Sequence, residues 1–104
     1  MNAEMQVLQA LDAAQAALKQ MPRLPAPERA RAAHQALQQM LGAPWSLATR
    51  PEEAEQHGWL SQLEEALQRI EQHPEGQEAE RLTEEALWAA NELERDLRGL
   101  LHAR

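Results

Sequence analysis

The chain of 104 residues contains no cysteine, no phenylalanine and no tyrosine. Without cysteine, disulfides, thiolate nucleophiles and thiolate-bound metals are excluded. Valine and isoleucine occur once each, as Val7 and Ile70, so a β-sheet lacks its usual β-branched and aromatic material. No apolar run approaches the roughly 18 residues that suggest a membrane-spanning helix. The four glycines are scattered, so there is no glycine-rich phosphate loop. Lysine occurs once against nine arginines, a bias expected of a GC-rich bacterial or phage genome. The opening Met1-Asn2-Ala3-Glu4 has no basic segment, so no secretory leader is read there and a cytoplasmic location is expected.

What is present is helix-forming. Twenty alanines and sixteen leucines make up most of the 45 apolar residues, and glutamine, glutamate and arginine supply much of the rest. The clearest stretch lies between Glu78 and Leu101. There Ala79, Leu82, Ala86, Ala89, Leu93, Leu97 and Leu100 recur at steps of three and four. At ~100° of rotation per residue these positions share one helix face. Leu87, Ala90 and Leu101 widen that face, while glutamates and arginines fill the opposite side.

Three earlier segments repeat this logic. Met5, Leu8, Leu11, Ala14, Leu18 and Met21 stripe a first helix, with Asn2 as N-cap and Pro22 as its stop. Pro22, Pro25 and Pro27 stiffen the connector, and Leu24 is expected to tuck inward. A second helix carries Ala30, Ala33, Leu37, Met40 and Leu41 inward, with His34 at the edge of the stripe and Gly42 as a C′ residue before Pro44. Thr49 and Glu52 form a capping box for a third helix, striped by Leu60, Leu63, Leu67 and Ile70 with Trp59 and Ala66 beside them. Gly58 allows either one helix bent at that point or a break, and the single helix is favoured. Glu53 and His57 are spaced to pair on it.

The expected fold is therefore all-α: an antiparallel four-helix up-down bundle with helices over 3–20, 27–41, 51–72 and 76–102, forming a single domain. Alanine buries little area, and a domain of this size has a low buried fraction. Completion by a second copy, a homodimer, is expected on that ground.

Net charge is −7, distributed unequally. Residues 1–50 hold five basic and three acidic groups, and residues 51–104 hold five basic and fourteen acidic. Direct nucleic-acid binding needs a basic face, which is missing. No glutamate stands three residues before any of the four histidines, so the di-iron bundle pattern is not met. No metal, cofactor or catalytic set is expected, and the acidic positions read as a solvated face.

The tryptophans carry the remaining information. Trp45, in a loop, is read as a plug for the end of the core, with a binding anchor as the alternative. Trp88 is read as packing on Ile70 or Leu67, with an interface role as the alternative. If apolar helix area serves a partner, the candidates are Trp88, Leu87, Leu97, Leu101 and Trp45. The function expected is a small non-catalytic protein–protein interaction module, such as a regulator that sequesters a transcription factor. A metal- or small-molecule-binding bundle is the alternative. An acidic mimic of nucleic acid ranks lower, because Arg69, Arg81, Arg95 and Arg98 interrupt the carboxylates.

Overall fold

The computed structural model describes residues 3–45 and 54–102, with the side chains of 54–57 and 100–102 also left outside the description. Asn2 as a cap, the Thr49–Glu52 capping box, the Glu53–His57 pair and the side chains of Leu100 and Leu101 fall outside the described residues.

The described residues form four long helices: α1 (Ala3–Gln20), α2 (Ala26–Gly42), α3 (Ala54–Gln72) and α4 (Gly76–His102). Each packs on the next in sequence, and α1 closes the ring on α4. Short links join α1 to α2 and α3 to α4, and with each helix packed on its sequence neighbour this makes an up-down-up-down bundle. Its long dimension, 42 Å, matches the rise of α4, whose 27 residues extend about 40 Å.

Local chemistry sets the helix ends. Pro22 converts the end of α1 into a 3-10 turn over Met21–Arg23. Leu24, just before Pro25, is extended, as the proline ring requires. Pro27 lies in the first turn of α2, where the missing N–H costs nothing. The far end of α2 departs from expectation. Gly42 is not a left-handed C′ residue; it is the last helical one, and the chain leaves through an extended Ala43. Pro44 accounts for this, because it drives the residue before it out of the helical region.

Gly58 does not break α3, which runs through it. A Cβ at Gly58 would meet no atom within 4 Å. Gly58→Ala is therefore expected to add about 0.5–1 kcal/mol and to raise the thermal midpoint. Gly76 is the contrast: its φ of +85° is a backbone state that an alanine resists. Gly76→Ala should cost about 1–2 kcal/mol, so paired melting curves that move both variants in the same direction would contradict this account.

The core is continuous through all four helices. Leu11 and Leu18 from α1, Met40 from α2, Leu63, Leu67 and Ile70 from α3, and Leu93 from α4 are fully buried. Alanines fill the gaps between them, including Ala14, Ala33, Ala86, Ala89 and Ala90. Two stripe assignments need correction. Leu41 is exposed, because Met40 occupies the inward position and the next residue turns ~100° away. Met5 is also exposed, since Val7 and Leu8 line the inner face in its place.

Polar groups tie the elements together at two points. Arg29 Nε donates to Met21 O at 3.0 Å, Nη2 to Leu24 O at 3.1 Å and Nη1 to Pro74 O at 2.7 Å. One guanidinium thus joins the α1–α2 connector to the α3–α4 turn. Between α1 and α4, the buried Gln15 donates from Nε2 to Asn91 Oδ1 at 3.0 Å and Glu94 Oε2 at 2.9 Å.

The hydrogen bond from Gln15, with Arg98 adding a second and Lys19 a favourable charge, holds the Glu94 carboxyl below its ordinary value of 4.5 against the opposing effect of burial. A depressed folded-state pKa stabilises above the unfolded value and loses that contribution as pH falls through the folded one. Gln15→Leu removes the largest cause. Denaturant titrations between about pH 3 and pH 6 should show the variant losing less stability on acidification than the parent. Equal losses would mean that the Gln15 bond does not hold in solution.

Candidate functional site

Only one described tryptophan reaches solvent substantially, and it is not Trp45, which the structure makes helical rather than part of a loop. Trp88 is 53% exposed, whereas Trp45 is 8% exposed. Trp45 Nε1 donates to Met40 O at 2.6 Å, filling a carbonyl in the last turn of α2, while its ring joins the core. It is the plug, and its place among the partner-binding candidates is withdrawn.

Trp88 does not pack in the core on Ile70 or Leu67, as the favoured reading had it. Its ring stands against that of Trp59, on α3, with centroids 4.7 Å apart and planes at 85°. This edge-to-face geometry is favourable for two aromatic rings. Trp59 is itself partly buried against the core and anchors the exposed ring to the α3–α4 seam. The signal was available in the spacing. Trp88 lies five residues before Leu93, which places it ~140° around the helix from the centre of the buried stripe.

Neither Leu97 nor Leu87 joins it, and the side chain of Leu101 lies outside the described residues. Leu97 is 2% exposed and belongs to the core, so it cannot meet a partner. Leu87 is partly buried against the core, and it leaves α4 ~100° away from Trp88. Asn91, one turn after Leu87, faces Gln15 of α1, so Leu87 belongs to the α4–α1 side. Among the described residues the candidate surface therefore reduces to Trp88, supported by Trp59.

The electrostatics around this seam are one-sided. Residues 58–99 carry eleven acidic side chains and four arginines, whereas residues 3–45 carry three acidic and four basic. Every one of those four arginines is engaged on its own helix: Arg69 by Glu65, Arg81 by Glu78 and Glu85, Arg95 by Glu92, and Arg98 by Glu94. Exposed pairs of this kind contribute little stability, but they occupy the cations. Glu71 meets His34 of α2 at 2.6 Å. Glu75, Glu80, Glu84 and Asp96 have no ion pair among the described residues. Glu64, half-buried on α3, has its carboxyl pushed above the usual range by burial.

Among the described residues no group of three histidines or carboxylates is placed to hold a metal ion. An open groove of about 450 Å³ between α1 and α2 is lined by Gln6, Gln9, Ala10, Ala13 and Gln39 with the Gly42–Pro44 end of α2, and no ionisable side chain lines it. No described helix is long and apolar enough to cross a membrane. Compared with family models, curated proteins and solved structures, the chain has no significant match in any of the three.

Proposed function

We propose that the chain is a small non-catalytic interaction module, a cytoplasmic regulator or adaptor that acts by occupying another protein's surface through the α3–α4 seam. The observation that supports this reading is Trp88: a large apolar ring, half in water, held in one orientation by a second tryptophan. The half of the ring left in water gains the isolated domain nothing beyond the contact with Trp59. Tryptophan is also among the residues on which binding energy most often concentrates. The sealed core leaves little other large apolar area free, with Met5 and Leu41 the remaining large exposed side chains among the described residues.

A second copy of the chain is the weaker occupant for this seam. In a two-fold dimer each surface meets itself. The unpaired carboxylates near Trp88 would then face their own symmetry mates. Self-association, which the alanine content leads one to expect, would have to use another face.

Placing a photo-reactive amino acid at position 88, and at the exposed Gln9 of α1 as a control, tests the reading in the cells that encode the chain. The expected result is an adduct with one other protein from position 88 and none from position 9. Identical adduct patterns from both positions, or adducts only with the chain itself, would sink it.

A further inference from the structure

We infer that the Trp59–Trp88 seam receives a cationic amphipathic segment of another protein, with an apolar side chain laid on Trp88 and lysines or arginines over the flanking carboxylates. This rests on the interaction reading above and goes further by naming the chemistry of the partner.

Three observations point the same way. First, the anchor is apolar and fixed: the Trp88 ring is exposed but braced at 85° against Trp59. Second, the carboxylates beside it are in excess. Glu84, one turn before Trp88 and ~40° from it around α4, is exposed beside the ring, and Glu80, a further turn back, lies ~80° round toward the α1 side, so the two carboxylates flank one edge of Trp88 over about 12 Å. Neither glutamate has an ion pair among the described residues. Of the nearby cations, Arg81 is held by Glu78 and Glu85, and Arg95 stands 3.7 Å from Glu92, which offsets its charge. Third, the excess is confined to one side, because the described parts of α1 and α2 carry nearly balanced charge.

An incoming acidic or neutral segment would have to desolvate these carboxylates with no compensating charge. A cationic segment supplies the missing partner, steers its own approach and discriminates against acidic competitors. Arginine adds a further contact by stacking on the indole face.

The test is selection of peptides from a displayed random library against the intact chain, at about physiological ionic strength. The recovered peptides are then titrated against the parent, Trp88→Ala and the double variant Glu80→Gln/Glu84→Gln. Circular dichroism establishes that each variant is folded. The expected peptides carry net positive charge and at least one large apolar residue. Trp88→Ala should weaken them by about tenfold or more, and the double glutamine variant by several-fold. Added salt should weaken them further. Recovered peptides that are neutral or acidic yet still depend on Trp88 would overturn the cationic assignment and leave the interaction reading in place. Peptides indifferent to Trp88, or no binders at all, would count against both. A dimer in sedimentation equilibrium that Trp88→Ala dissociates would put a second copy in the seam and overturn the assignment as well.

Discussion

Trp45→Ala is expected to cost about 3–5 kcal/mol, a large fraction of the stability of a domain this small. Two losses combine. The ring is almost wholly buried at the end of the core, and its removal leaves a cavity that the capped helix ends cannot readily close. The indole N–H also donates to Met40 O, a carbonyl in the last turn of α2 that otherwise accepts the longer bond from the cap residue Ala43 N–H at 3.3 Å. Trp45→Phe separates the two, since it keeps most of the volume and forfeits about 1 kcal/mol with the hydrogen bond. Trp88→Ala is the counterpart. It removes an edge-to-face contact worth about 0.5–1.5 kcal/mol and only the half of the ring that is out of water, with no enclosed cavity left behind. Denaturant unfolding of the three variants should therefore rank Trp45→Ala far below Trp45→Phe and Trp88→Ala. A Trp88→Ala variant as damaged as Trp45→Ala would mean that Trp88 is a core residue in solution.

Arg29→Ala should cost about 3 kcal/mol, because three backbone carbonyls lose one charged donor group together. Hydrogen bonds to a charged group contribute about 1.5–3 kcal/mol each, but bonds from one side chain are not additive. Arg29→Lys should recover less than half of this. An ammonium is a compact point charge, whereas the guanidinium fork reaches Met21, Leu24 and Pro74 at once. The connector should loosen locally as well. The Leu24 amide, bonded to Met21 O at 3.1 Å, should exchange faster in either variant relative to amides in the middle of α3. A cost under about 0.5 kcal/mol with unchanged Leu24 exchange would show that water replaces the guanidinium without penalty.

The helices and their inner faces were legible from periodicity. α1 spans Ala3–Gln20 as the spacing and Pro22 indicated, and α4 begins at Gly76. Where the reading failed, it failed on residues whose angular position sits between faces. Leu41 and Met5 obey a three-or-four spacing to one neighbour and still point away from the centre of the stripe. Trp88 was misplaced for the opposite reason: its chemical type suggested a core residue, while its angle from Leu93 already did not.

By itself the sequence determined that this chain is an all-α bundle, which residues turn inward on each helix, and that its acidic excess lies in the second half. Those properties follow from composition and from rotation per residue, both of which are local. Only the tertiary structure decided that Trp45 closes the core, that Trp88 rests on Trp59, and that Gln15 and Arg29 bridge elements distant in the chain. Such contacts depend on how far one helix slides and turns against the next, and no spacing within a single helix records that.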